Sequence, residues 1–398
     1  MGFMEVTGMQ KNRTKLLSAI LLVIGSAGTA ANAQSQLTGF TGSAEAQVSH
    51  DDNIYRTTDE FAQSDSLITL KPEAMLAGIY GKHRFQFNYS GDYAKHFDLD
   101  YADYDDHTIS IRADLDHSVR FKARFVAAYI KDHQDPGTIN RVQLDLAEFN
   151  TYDEIRYGAA VFYGGSDATG RVELRYKNSE VDYTNNGLDF LDNTLNEFGA
   201  KFIYRISEKT KTYLEAIYGD YDYTPPAGFV DQDNTNVIYR AGITWDFANK
   251  LTGDINAGYQ ERDFDNQESR GTSGLTYDGS LTWNISDYTE LEVNASRQST
   301  DSTLDQLGGI TRNTLGTEIK HGITERLSIN AAFNYFKDNI DLGLIRNDKR
   351  YTYETGLTFD VTRKITVSGS YKHQTRDSTL TFAEYESNIV SLSIAMAI

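Results

Sequence analysis

Ten basic residues fall on the polar phase of the fifth to tenth alternating segments: Arg120, Lys122, Arg124, Arg156, Arg171, Arg175, Lys177, Lys201, Arg205 and Arg240. Seven acids fall on the same phase of the eleventh to sixteenth segments: Asp254, Asp278, Glu290, Glu292, Glu318, Glu354 and Asp360. On that phase the first set of segments also holds four acids, Glu173, Glu197, Glu215 and Asp246, and the second set one base, Lys320. Each of these residues occupies the polar phase of an alternating segment, so they would share one face of a sheet. On facing walls of a wet passage, opposite charges set up a transverse field. Arginine forks then hold carboxylates or sulfates bidentately, and hydroxyl-rich solutes exchange water for polar wall groups. The plainer expectation is that these ions pair with one another across strands. Either way the chemistry is binding and guidance, with no bond broken.

Other chemistry has less to stand on. Of eight histidines, His50, His96, His107, His133 and His373 fall near predicted loops, yet no Gly-x-Ser-x-Gly or His-Glu-x-x-His spacing accompanies them. The chain is read as a non-enzyme, and no cofactor or metal is assigned. Acidic, aromatic stretches such as Asp51-Asp52-Asn53, Phe97–Asp106 and Asp220–Tyr223 offer hard oxygen ligands for calcium or for cations bridging lipopolysaccharide. Without EF-hand spacing, a solvated acidic surface is the favoured reading there.

The elements that must position the charged walls are strands. Phe40, Gly42, Ala44, Ala46 and Val48 alternate with polar residues, as do Phe85–Tyr93, Val237–Phe247, Leu327–Tyr335 and Val390–Ile398. Short turns at 80–83, 117–120, 207–209, 248–250, 286–288, 324–326 and 362–364, with a looser one at 164–170, alternate with long polar connections such as 50–66, 132–151, 178–193 and 221–235. That rhythm suits an up-and-down membrane barrel of eighteen strands, or sixteen if two weak segments fail. The weakest segment contains Pro72, which predicts a bulge. Asp246, Asn284, Gly322 and Asp360 stand 38 residues apart, one per two-strand unit. A propeller blade would need four short strands in that length. Aromatics near strand ends, Tyr80, Tyr163 and Trp283 among them, suit interfacial girdles.

Composition closes off other classes. There is no cysteine, so no disulfide framework or thiolate metal site exists. The mean hydropathy is −0.50, unlike that of a bundle of apolar helices. The formal charge is −19. It becomes −21 once residues 1–33, with Glu5 against Lys11, Arg13 and Lys15, are taken away. No basic stripe recommends a nucleic-acid partner. Residues 1–33 read as a secretory signal peptide, with a basic region, the apolar run Leu16–Ile24 and Ala31-Asn32-Ala33 before cleavage, leaving 34–398 as the barrel.

The element Ser49-His50-Asp51-Asp52-Asn53-Ile54-Tyr55-Arg56, turns of the kind Ile323-Thr324-Glu325-Arg326-Leu327, and strands running to the C-terminus resemble the putative β-barrel porin 2 family over essentially the whole mature chain. Members are often associated with capsule or exopolysaccharide export loci. The resemblance therefore implies a conduit for polysaccharide across the bacterial outer membrane, working with a periplasmic export protein. The chain ends on Ile398 rather than the common phenylalanine. The resulting expectation is an all-β, monomeric outer-membrane channel, embedded among lipid and lipopolysaccharide. The alternatives are a general diffusion porin, which would trimerise and fold Asp132–Thr151 into the lumen, and a structural or adhesive surface barrel.

Overall fold

The computed structural model describes residues 38–137, 148–248, 250–266, 271–300, 309–341 and 345–398. The leader read over residues 1–33 lies outside the described residues. Eighteen strands follow one another: β1 (Gly39–Asp51), β2 (Asp65–Tyr80), β3 (His83–His96), β4 (Tyr104–Asp116), β5 (Phe121–Gln134), β6 (Asn150–Tyr163), β7 (Gly170–Tyr183), β8 (Asn193–Arg205) and β9 (Thr210–Tyr223) make the first half. The second half consists of β10 (Asn234–Phe247), β11 (Leu251–Phe264), β12 (Thr272–Ser286), β13 (Thr289–Thr300), β14 (Ile310–Gly322), β15 (Leu327–Asp341), β16 (Ile345–Asp360), β17 (Ile365–Ser378) and β18 (Tyr385–Ala397). Every strand pairs antiparallel with its chain neighbours, and β18 returns to β1, with Ser43 opposite Ala397 and Asp51 opposite Ile389. The sheet is therefore closed. Strands run from 12 to 16 residues, and about ten tilted residues cross the hydrocarbon. The surplus builds the rims.

Side-chain alternation sorts the two faces. Val390, Leu392, Ile394 and Met396 on β18 all stand exposed, as do Phe85 and Phe87 on β3 and Leu214 and Tyr218 on β9. An apolar face of that extent is unstable in water and stable against acyl chains. Tyr80, Tyr163 and Trp283 are exposed near the short-turn end, where a girdle residue belongs. The opposite phase of each strand carries the charges and amides and points into the ring.

The 38-residue repeat has a backbone cause. The amides of Asp246, Asn284, Gly322 and Asp360 donate to the carbonyls of Lys209, Lys250, Tyr288 and Arg326 at 2.8–2.9 Å. Each bond ties the end of one hairpin to the turn before it, so one residue per two-strand unit falls in the same place.

Three expectations need correction. Pro72 makes no bulge: Leu70 faces Tyr93 and Glu73 faces Ser90, so the register is the same on both sides. Proline drops out of the ladder without inserting a residue, because it lacks only a donor. The register shift lies instead between Asn284 and Ser286. The connection expected at 178–193 is shorter, because β7 continues to Tyr183, and β15 and β16 are joined by residues 342–344 alone. Not every outer connection is long.

The outer connections have small cores of their own. Ile54 and Tyr55 after β1, Ala102 after β3 and Phe149 before β6 pack together, with the Tyr55 and Phe149 rings 5.9 Å apart. Leu188, Phe190 and Leu191 form a second cluster after β7, and Phe190 stacks on Phe229 from the β9–β10 connection at 4.8 Å. Packing of this kind gives loops a fixed shape that hydrogen bonds to water would not.

Candidate functional site, the lumen wall and outer mouth

On β5 to β10 the inward bases divide into paired and unpaired sets. Lys122 meets Asp116 at 3.2 Å, and Arg124 shares Asp114 with Arg112 at 2.7 Å each. Arg156 forks onto Glu154, and Arg175 and Arg240 both grip Glu215, the latter at 2.5 Å. Glu215 is almost fully buried, so two guanidinium groups replace its water. Arg175 reaches it from β7 by crossing β8 at Gly199. A Cβ there would lie 2.6 Å from Arg175 Nε, which is why that position has no side chain.

The unpaired set is Arg171, Lys177, Lys201 and Arg205, which make no ion pair among the described residues. Arg171 lies 4.5 Å above the Phe162 ring and Lys201 3.6 Å above Tyr213, so aromatic faces support them instead. These cations keep donors for a passing anion. Arg120 is displaced from the predicted wall: it sits in the turn before β5, where its carbonyl accepts from Gly164, because the strand begins only at Phe121.

The acidic arc is more mixed than expected. Asp254 accepts from Tyr213 Oη at 2.7 Å, Asp360 from Thr366 Oγ1 at 2.9 Å, and Lys320 meets Glu318 at 3.2 Å and Glu292 at 4.0 Å. Asp278, Glu290 and Glu354 point inward in the same phase of β12, β13 and β16. Toward the outer ends of β11 to β17, however, Arg262, Arg312, Arg346, Arg350 and Arg376 also face inward, with Asp338 and Asp348. The expected wall of one sign therefore applies to the inner half only. These arginines fall near loop boundaries, where alternation alone gives no weight to the last residues of a strand.

The outer mouth is the site that sequence reasoning missed. Asp51 meets Arg56 at 2.8 Å and accepts from Ser387 Oγ at 2.8 Å, while Asn53 Nδ2 donates to the carbonyls of Thr57 and Glu386. The Asp52 carboxylate takes both the backbone amide and Nδ2 of Asn388. The segment Asp51–Arg56 thus staples the β1–β18 seam beyond its last ladder pair. Arg56 adopts φ 55°, a left-handed turn that brings its guanidinium back onto Asp51.

The start of the β5–β6 connection joins this staple. Gly137 carbonyl accepts from Arg350 Nη1 at 2.7 Å and from Tyr385 Oη at 3.2 Å, so chain leaving β5 reaches residues of β16 and β18 across the mouth. Arg350 in turn faces Asp338, which holds Arg312 by a 2.7 Å and a 2.8 Å bond. Arg346 pairs with Asp348 at 2.6 Å, and Arg376 donates to Ala383 carbonyl. Burial raises the Asp135 carboxyl, but the Arg56 guanidinium and the Gly137 amide hold it, on balance, below the usual carboxylate range.

These observations describe an outer-membrane barrel with a polar, partly spanned lumen, and a profile of one family, Putative beta-barrel porin 2, matches residues 39–398. The chain belongs to that family. Solved structures share the fold: Pseudomonas aeruginosa OpdQ is 12% identical with TM-score 0.50, covering 91% of this chain and 100% of its own. The outer membrane protein opdK from the same organism is 8% identical with TM-score 0.50, covering 90% and 99%. The FrpB iron transporter from Neisseria meningitidis is 9% identical with TM-score 0.50, covering 87% of this chain, which spans 65% of that longer protein. No curated protein sequence matches it.

As a member of the porin family, the chain is an outer-membrane channel, and its rim histidines have structural partners. His50 Nδ1 meets Ser66 Oγ at 3.1 Å, His373 Nδ1 meets Asn388 Oδ1 at 2.9 Å, and His107 lies against the rings of Tyr89 and Tyr93. His96 is buried beside Asp103, and His133 contacts Asp106.

Replacing Arg171, Lys177 and Lys201 with Ser should shift the bilayer reversal potential under a KCl gradient away from anions. The paired triple Arg124, Arg156 and Arg240 to Ser should shift it less, since Arg112 still holds Asp114 and Arg175 still holds Glu215. Equal shifts would show that ion pairing does not decide selectivity. Because Asp135 is depressed on folding, its contribution to the docked loop is present above the ordinary carboxylate range and is lost as pH falls through its lowered value. Single-channel current should be steady from pH 8 to about 5 and should rise only below about pH 4. A rise centred near neutrality would point to another group.

Proposed function

We propose that this chain is a passive outer-membrane channel, acting as a monomer, that conducts small anionic and hydroxyl-rich solutes through a lumen narrowed at its outer mouth. The observation that carries this reading is the bond from Arg350 and Tyr385 to Gly137, which draws the start of the β5–β6 connection over the opening. A bulky polymer would have to displace it; a small solute would not. Selectivity follows from the unpaired cations on β7 and β8, whose donors are free to exchange water for carboxylate or sulfate oxygens.

Export of capsular polysaccharide or exopolysaccharide is the second reading. It is supported by the neutral part of the wall: Asn256, Thr276, Ser280, Asn294, Ser296 and Thr314 face inward on successive strands β11 to β14. Amides and hydroxyls at that density suit a sliding chain of sugar hydroxyls. In this reading the docked segment swings away when a periplasmic export partner delivers the polymer.

Bilayer recordings of Arg350→Ala with Tyr385→Phe separate the two, together with surface polysaccharide on cells lacking the protein. Loss of a charged donor removes about 1.5–3 kcal/mol, enough to cut the docked population roughly tenfold or more. The variant should therefore show a larger conductance than wild type, and cells lacking the protein should keep their surface polysaccharide while taking up small anions more slowly. Unchanged conductance would remove the constriction from the account. Loss of surface polysaccharide, with polymer retained in the periplasm, would decide for export.

A further inference from the structure

At the root of the same connection, three side chains converge that neither the barrel nor the lumen field requires. His133 Nδ1 lies 2.8 Å from Asp106 Oδ2 and 3.8 Å from Asp132 Oδ1, and the three ligand atoms all lie within 4.8 Å of one another. A tetrahedral ion with bonds of about 2.0–2.1 Å spaces its donors about 3.3 Å apart, so side-chain shifts of about half an ångström bring both of these contacts to that spacing. Donor directions are already set. The Asp132 carboxylate accepts from the His133 amide at 2.8 Å and from Tyr152 Oη at 3.3 Å. The imidazole is stacked on Tyr104 at 4.0 Å and on Phe149 at 5.2 Å. Such outer contacts orient ligands before an ion arrives.

A separate observation points to missing positive charge. Asp92 stands directly opposite Asp106 across β3 and β4, and the register of β4 with β5, one step past His107 and Lys131, brings Asp132 beside Asp106. Like charges set side by side across strands destabilise a sheet. Lys71 answers one oxygen of Asp92 at 3.1 Å, but its Oδ1 is shut off from water with no hydrogen-bond partner among the described residues. Asp106 and Asp132 meet no lysine or arginine within ion-pair distance among the described residues; their basic contact is His133.

We propose that Asp106, Asp132 and His133 form a binding site for a divalent transition-metal ion of the zinc type, placed where β5 leaves the barrel for the mouth. One imidazole with two carboxylates favours such an ion over calcium, which prefers six or more oxygens. The ion neutralises the carboxylate row and pins the last residues of β5 to β4.

The test is calorimetric titration of Zn2+ into the full barrel in detergent micelles after chelator treatment, with folding checked by the heat-dependent shift in gel mobility. Wild type and Glu60→Gln, on the exposed β1–β2 connection, should each bind one Zn2+ per chain. Asp106→Asn with Asp132→Asn should bind at least tenfold more weakly. No stoichiometric uptake by wild type, or uptake that the double variant retains, overturns the site. Should that variant fail to fold, wild type alone decides. Zn2+ should shield His133, and not His50 or His373, from diethyl pyrocarbonate as read by peptide mass, and absence of that protection overturns the site equally.

Discussion

In the hydrocarbon of a bilayer an unpaired backbone amide or carbonyl costs several kcal/mol, and no water is there to relieve it. Everything else in this structure depends on meeting that constraint along one seam, the pairing of β18 with β1. The ladder itself covers nine residues of β1, from Ser43 to Asp51. At the outer end the Asp51–Arg56 segment continues the closure with side chains, binding Ser387 and Asn388 and the carbonyl of Glu386. At the inner end the amide of Ile398 reaches Gly42 carbonyl at 2.8 Å. Sealing the seam turns an edge-bearing sheet into a ring and makes the polar phase of every strand an interior.

That interior is lined by charges, amides and hydroxyls, and its charges meet one another there. Where several acids and bases share a neighbourhood they pair, as at Arg124–Asp114 and Arg240–Glu215, and such pairs stiffen the wall without presenting charge to a solute. Cations resting on aromatic rings behave differently, because a ring face supports the charge and leaves the N–H groups unspent. Arg171 on Phe162 and Lys201 on Tyr213 are of this kind. The mouth uses the same groups for another end. Arg56, Arg350 and Tyr385 are directed at backbone and carboxylates of neighbouring connections, so positive charge there shapes the opening.

Alternation made the barrel legible: Val390 to Met396 on one face and their polar neighbours on the other are a local property of each strand, readable without knowing what it pairs with. The eighteen strands and the phase of the inward bases followed from it. The 38-residue repeat was visible, but its cause, an amide reaching the preceding turn, is an inter-hairpin bond that no single segment encodes. Pro72 misled because a missing donor looks the same in sequence whether the strand bulges or merely skips a bond. The mouth was hidden for a stronger reason. Gly137, Arg350 and Tyr385 are separated by most of the chain, and only closure brings them together. The Asp-Asn-Ile-Tyr element was conspicuous as a family trait, yet its work, stapling the seam and carrying Arg56, belongs to tertiary structure.

The absence of native cysteine allows the closed, wet barrel to be tested one position at a time. Single cysteines at Arg171, Lys201, Thr282 and Asn330 should react with a charged, membrane-impermeant thiol reagent when the protein sits in lipid vesicles. Cysteines at their neighbours Val172, Phe202, Leu281 and Ala331 should remain unmodified because they face acyl chains. Equal labelling of both sets, or protection of both, would contradict a barrel with a water-filled lumen.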